Sequence, residues 1–201
     1  MNSLSILNIV RDTTVDGPGF RTAIYAAGCI HQCSGCHNPQ SWDIKNGSLY
    51  SISALLEIID ENEFSNVTFT GGDPLVQLEG FTDLARHIKK RTGKNIWCYT
   101  GFLYEQIIKS GRLSQILPFI DVLVDGRYIK SFRSEGLPFR GSRNQRIIDV
   151  RKSLLRHEVV IRNDDYLHPQ RSELPDLRNL DFDTPKKQFF ERISNFVALD
   201  S

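Results

Sequence analysis

The sequence predicts an α/β fold, an open partial (β/α) barrel followed by a C-terminal appendage, on three observations. Short apolar runs alternate with segments whose apolar residues recur at helical spacing, the pattern of parallel βα units. About four such units precede a stretch rich in Arg and Gly, too few for a closed eight-fold barrel. From residue 157 the composition shifts: residues 157–201 hold six Lys or Arg against nine Asp or Glu, with Pro169, Pro175 and Pro185 breaking any regular pattern. The expected division is therefore 1–156 as the barrel and 157–201 as a polar, acidic extension.

Residues 4–10 read as a first strand. Asp16-Gly17-Pro18-Gly19 is a turn whose glycines permit a backbone geometry or close approach that a side chain would block. Residues 20–27 form the next strand and deliver the chain directly to Cys29, Cys33 and Cys36, which places these cysteines at a strand's C-terminal end. Asn46-Gly47 breaks the chain; Ile52, Leu55, Leu56, Ile58 and Ile59 then mark a helix that Ser51 or Ser53 can cap. Residues 67–70 are a short apolar strand ending in Gly71-Gly72-Asp73-Pro74. Phe81, Leu84, Ala85 and Ile88 mark an amphipathic helix that closes on basic residues and Gly93. A strand at 96–100, a short helix through Tyr104, Ile107 and Ile108, and a strand at 121–125 follow. An Arg- and Gly-rich loop at 126–146 leads to a fifth apolar run at 147–150. In the extension, Thr184 and Pro185 signal a helix to about residue 199, with Phe189, Phe190, Ile193, Phe196 and Val197 on one face. Such a helix needs an apolar partner, and its acidic surroundings suit a basic surface that includes Arg140, Arg143 and Arg146.

Composition excludes several classes. At 201 residues, 40% hydrophobic and 24% charged, the chain is an ordinary soluble globular protein. A net charge of +1 gives no reason to expect nucleic acid or a membrane surface as partner. The N-terminus lacks a basic flank and its apolar run is broken by Asn2, Ser3, Ser5 and Asn8, so it reads as neither signal peptide nor anchor. The expected compartment is the cytoplasm, where thiols stay reduced.

Three of the four cysteines, Cys29, Cys33 and Cys36, form a C-x3-C-x2-C triplet. Three thiolates on one short loop can each ligate one iron of a 4Fe-4S cube, leaving the fourth iron open to a small chelating molecule. Other readings are weaker. Cys33-Ser34-Gly35-Cys36-His37 is a literal haem-attachment string, but there is no export signal and Met1 is the only methionine. A zinc site using the triplet with His37 or Cys98 would more usually draw on two separated pairs. Four cysteines are too few for a disulfide framework. Cys98, flanked by Trp97 and Tyr99 in an apolar strand, reads as a small buried hydrophobe, and His87 as a solvated helix residue.

The cysteine loop resembles that of the radical S-adenosylmethionine (SAM) enzymes, whose open iron is chelated by the amino and carboxylate groups of SAM. Over residues 5–150 the likeness is more specific. Asp16-Gly17-Pro18-Gly19-Phe20-Arg21, Thr70-Gly71-Gly72-Asp73-Pro74-Leu75, Asp121-Val122-Leu123-Val124-Asp125-Gly126 and Arg140-Gly141-Ser142-Arg143-Asn144-Gln145-Arg146 resemble the activating proteins of anaerobic, class III ribonucleotide reductases. The last string separates this family from pyruvate formate-lyase activases. The resemblance implies an open partial barrel of the radical SAM type and two cofactors, a 4Fe-4S cluster on Cys29, Cys33 and Cys36, and SAM. It further implies that Gly35, Cys36 and His37 meet the adenine through backbone groups, and that Gly71 and Gly72 leave room for the methionine part. Asp73 offers a carboxylate to the ammonium. Thr100 and Asp125 lie where the SAM carboxylate or ribose should come, each readable equally as a turn-forming residue. Asp16 and Gly17 would meet the substrate protein.

The implied chemistry is specific. A reduced flavodoxin or similar donor supplies one electron, SAM is cleaved to methionine and a 5′-deoxyadenosyl radical, and that radical takes a Cα hydrogen from a glycine of the large reductase subunit. No catalytic side chain is needed beyond the cluster and SAM. Two departures stand out: Asp73 replaces the Glu of the Gly-Gly-Glu motif, and Gly35 stands where many members carry an aromatic residue. The alternatives are another glycyl-radical enzyme or a nucleoside precursor as target, or a small electron carrier without turnover. SAM-dependent formation of 5′-deoxyadenosine separates the carrier from the enzymes.

Overall fold

A computed structural model describes residues 3–162. These residues form one seven-stranded mixed sheet flanked by helices. The elements in chain order are β1 (Ser3–Thr13), β2 (Arg21–Ala26), β3 (Ser48–Ser51), α1 (Ile52–Asp60), β4 (Asn66–Gly71), α2 (Leu78–Arg91), β5 (Ile96–Tyr99), α3 (Tyr104–Lys109), β6 (Val122–Asp125), β7 (Arg146–Asp149) and α4 (Val150–Arg156). The strand order is β3-β1-β2-β4-β5-β6-β7.

The centre of the sheet follows the expected βα logic, since β2, β4, β5 and β6 are mutually parallel. The flanks do not. β1 is antiparallel to β2, as its short connection demands. β3, a strand the periodicity does not announce, pairs antiparallel with β1. The fifth apolar run becomes β7, antiparallel to β6. Only a single 3-10 turn, Lys130–Phe132, and no α-helix separates these two strands, so the helical crossover of a parallel pair is missing. Helix starts match the capping chemistry: Ser51 accepts from the Ala54 N–H and Asp149 from the Lys152 N–H. No helix among the described residues is long and apolar enough to cross a membrane.

Strand alternation splits the sheet into two unlike faces. Ile24, Phe69, Cys98, Leu123 and Ile148 stand side by side in register. They join Leu55, Ile59, Phe81, Leu84 and Ile88 of α1 and α2 in the main core. The other face carries Trp97, Val122, Val124 and Ile147 as a small second cluster, beside Arg21, Tyr25 and Thr68. The Arg21 guanidinium is buried there, donating to Thr68 Oγ1 (2.6 Å) and the Val67 carbonyl (2.5 Å), 5.4 Å from the Trp97 ring. Burial pushes its pKa down to about 10.

After α4 the chain turns at His157, in the left-handed region (φ 58°), and runs antiparallel beside β7. Asp149 donates to the Val160 carbonyl and Arg162 to that of Ile147. The helix expected near residues 185–199 lies outside the described residues. The basic surface proposed for it needs a correction: Arg146 faces inward and is ion-paired with Glu105 and Asp125.

Phe69 is fully buried on the central strand, its ring 5.0 Å from that of Phe81. Phe69→Ala is expected to lower stability by about 3–5 kcal/mol in denaturant unfolding. Leu49→Ala, on the edge strand at 77% exposure, should change it by less than about 0.5 kcal/mol.

Candidate iron-sulfur site at the strand ends

Because β2, β4, β5 and β6 run parallel, their C-terminal ends fall on one edge of the sheet. The cysteine loop, Gly71 to Asp73, Thr100 and Asp125 are all carried there. The loop leaves β2 through Gly28 (φ +94°), whose N–H donates to the Ser41 carbonyl, and Cys29 donates to that of Trp42. Gln32 and Gly35 also take positive φ, which curls the loop tightly enough for Cys36 N–H to reach the Cys33 carbonyl.

All three cysteines are unbridged and half-buried. Burial raises the Cys29 thiol, and the backbone N–H groups of His31 and Gln32 work against that rise. The Asn38 N–H lies 3.4 Å from Cys36 Sγ. N–H groups aimed at sulfur are what stabilise thiolates around an iron-sulfur cube, so the donor set fits that group. Among the described residues no three His, Cys, Asp or Glu side chains are grouped for a single metal ion; a cube instead spreads its thiolates over different irons. Cys98 is fully buried in the helix-side core, its thiol pushed well up by burial. His87 is half-buried on α2 rather than fully solvated, with Nδ1 2.8 Å from the Asp83 carbonyl.

The glycine turn has an internal reason. Gly72 donates to the Ala26 carbonyl and Asp73 to that of Gly28, both at 2.8 Å. A Cβ on Gly72 would sit 2.4 Å from the Gly28 carbonyl oxygen, and one on Gly71 2.7 Å from Ala26 N. Both glycines therefore let the end of β4 lie against the exit of β2, in addition to any room they leave for a ligand.

Both carboxylates are buried and bonded within the protein. Asp73 is 1% exposed. Its Oδ1 accepts from Leu75 N–H, and its Oδ2 from Thr100 Oγ1 (2.8 Å), Gly101 N–H (3.1 Å) and His31 Nε2 (2.7 Å). The group expected to meet an ammonium is thus committed to donors within the chain. Thr100 is buried as one of those donors. Asp125 accepts from Tyr104 N–H and from Arg146, which also binds Glu105 through two bonds of 2.8 and 2.7 Å. Burial works against the Arg146 charge, and the two carboxylates more than restore it.

His31 is the residue that sequence reasoning passes over. Its only signal is a position between two cysteines, and the fold alone brings it to Asp73. Its Nδ1 accepts from Arg127 Nε at 3.2 Å, which assigns the Nε2–H tautomer facing Asp73. Asp16 and Gly17 precede β2, yet their loop folds back over the polar face of the sheet. Tyr25 Oη lies 3.0 and 2.9 Å from the two Asp16 oxygens, and Thr68 Oγ1 donates to the Asp16 carbonyl. Gly17 is buried against Arg21 and Trp97.

Residues 15–148 match the family described as a 4Fe-4S single cluster domain. Three similar proteins carry the name anaerobic ribonucleoside-triphosphate reductase-activating protein. That of Enterobacteria phage T4 is 33% identical over 150 residues, covering 72% of this chain and 93% of its own. That of Vibrio cholerae is 35% identical over 139 residues, 65% and 88% respectively. That of Escherichia coli is 30% identical over 145 residues, 68% and 93%.

Gly72→Ala is expected to displace the cysteine loop, because the new methyl meets backbone rather than a flexible side chain. Iron per chain after anaerobic reconstitution should fall well below that of Gly111→Ala, whose Cβ meets nothing within 4 Å.

Proposed function

The chain belongs to the family of anaerobic ribonucleoside-triphosphate reductase-activating proteins, and from that premise we propose that it is a radical SAM activase that installs a glycyl radical on the large subunit of that reductase. The observation that carries this reading is the meeting of the cysteine loop with the ends of β4 and β5, through Asp73, on one edge of a parallel sheet. In this reading the sheet is the open partial barrel of the radical SAM type, residues 1–156 carry the chemistry, and residues 157–201 are an extension.

Cys29, Cys33 and Cys36 hold the 4Fe-4S cluster. When bound, cluster and SAM together supply reductive cleavage to methionine and a 5′-deoxyadenosyl radical able to take hydrogen from a glycine Cα, the electron coming from a reduced flavodoxin or similar donor. The protein's own task is positioning. Gly71 and Gly72 present backbone without side chains beside the loop, and backbone groups of Gly35, Cys36 and His37 meet the adenine. Asp73 acts at one remove: by accepting from His31, Thr100 and Gly101 it fixes the distance between the cluster loop and the strand ends where SAM lies. Asp125 likewise fixes the end of β6 through Arg146. Asp16, with its oxygens held by Tyr25, and Gly17 stand on the polar face, from which an extended glycine segment of the partner can approach. The cytoplasm is the compartment that suits an oxygen-sensitive cluster.

The test is direct. Reconstituted anaerobically, the wild type and Cys98→Ala are expected to hold about four irons per chain and Cys33→Ala to lose the cluster. Reduced protein with SAM should release 5′-deoxyadenosine and, with the reductase added, give an organic radical signal in electron paramagnetic resonance. Full cluster occupancy in Cys33→Ala, or a reduced, cluster-loaded wild type that leaves SAM intact, would overturn the reading.

A further inference from the structure

The segment that follows β6 runs along the outside of the cysteine loop and touches it three times. Arg127 Nε donates to His31. The Tyr128 ring lies 4.9 Å from that of His37. The stem of Lys130 covers Gly35, where an added Cβ would come within 3.0 Å of Lys130 Cδ. This segment has its own scaffold. Gln145 Nε2 donates to the Gly126 carbonyl (2.9 Å), Asn144 Nδ2 to that of Arg127 (2.8 Å), and Ser142 Oγ accepts from Ile129 N–H (3.2 Å). Gln145 Oε1 accepts in turn from the Gly141 and Ser142 N–H groups. Ser142, Asn144 and Gln145 of the Gly141-Ser142-Arg143-Asn144-Gln145-Arg146 string are thus spent on holding neighbouring backbone.

We propose that residues 127–130 form a cationic strap, braced by Ser142, Asn144 and Gln145, whose Arg127 and Lys130 raise the reduction potential of the cluster; the proposal rests on the cluster reading above. Arg127 and Lys130 are exposed and, among the described residues, neither forms an ion pair with a carboxylate, so their charge is not cancelled locally. One-electron reduction adds a negative charge to a cube already ligated by three thiolates. A cation held beside the loop stabilises that reduced state more than the oxidised one, which moves the potential upward. Holding the charges in place is the task of the brace, since a lysine on an untethered loop would spend its time in water.

The experiment measures the midpoint potential of the cluster-loaded full chain without SAM, by dithionite titration through soluble mediators with electron paramagnetic resonance detection. Lys130→Gln and Arg127→Gln are each expected to keep the wild-type iron content and shift the midpoint to more negative values, with a larger shift in the double variant. Lys130→Arg should keep the wild-type value. Asn144→Ala, which changes no charge, should shift it in the same direction as Lys130→Gln. The gap between wild type and Lys130→Gln should narrow at high salt, because exposed charges are screened. An unmoved midpoint in Lys130→Gln with iron intact, or a shift that Lys130→Arg fails to prevent, overturns the strap while leaving the cluster reading standing. A wild-type chain that takes up no four-iron cluster overturns both.

Discussion

Asp73 lies where three strand ends meet, buried, with four hydrogen bonds converging on its two oxygens. A carboxylate removed from water must find its donors inside the protein or neutralise, so its burial obliges Leu75, Thr100, Gly101 and His31 to come together. The four donors come from three parts of the site: Leu75 from the turn after β4, Thr100 and Gly101 from the turn after β5, and His31 from the cysteine loop. Losing any one would leave a buried charge short of a partner, at a penalty on the order of 1–3 kcal/mol. The geometry of the whole edge therefore depends on this one group more than on any apolar contact.

The two faces of the sheet divide the remaining work. The helix side is a continuous apolar core that includes Cys98, and it supplies the stability. The opposite face holds Arg21, Tyr25, Thr68 and the folded-back turn at Asp16, polar groups bonded to the neighbouring strand or to the turn, around Trp97, whose buried Nε1 has no hydrogen-bond partner. Polar burial of this kind is a poor source of stability but a good source of fixed geometry.

A third layer is built by Arg146. Its guanidinium joins Asp125 at the end of β6 to Glu105 on α3, and its neighbours Asn144 and Gln145 hold the backbone at Gly126 and Arg127. The Arg-rich loop that looks from composition like a charged surface is instead split by function. Arg146 is tied into an ion-pair network with its side chain 13% exposed, and Arg140 is half-buried. Arg127 and Lys130 are turned outward beside the cysteine loop.

The sequence by itself determined the local chemistry: a triplet of thiols after a strand, glycine turns after two others, an apolar period of about two or about 3.6 in each element, and a helix cap at Ser51 or Ser53. These follow from spacing along the chain, which a reader of residues can measure. What only the tertiary structure decided is which groups those residues meet. The antiparallel pairing of β3 with β1 and of β7 with β6 joins strands that no tight turn connects. The inward turn of Asp73 and Asp125 depends on donors 27 and 21 residues away, and the meeting of His31 with Asp73 spans 42. Gly72 reads as room for a ligand until the Gly28 carbonyl is seen 2.4 Å from where its Cβ would stand. Burial and hydrogen-bond satisfaction are properties of the closed fold, and no local period encodes them.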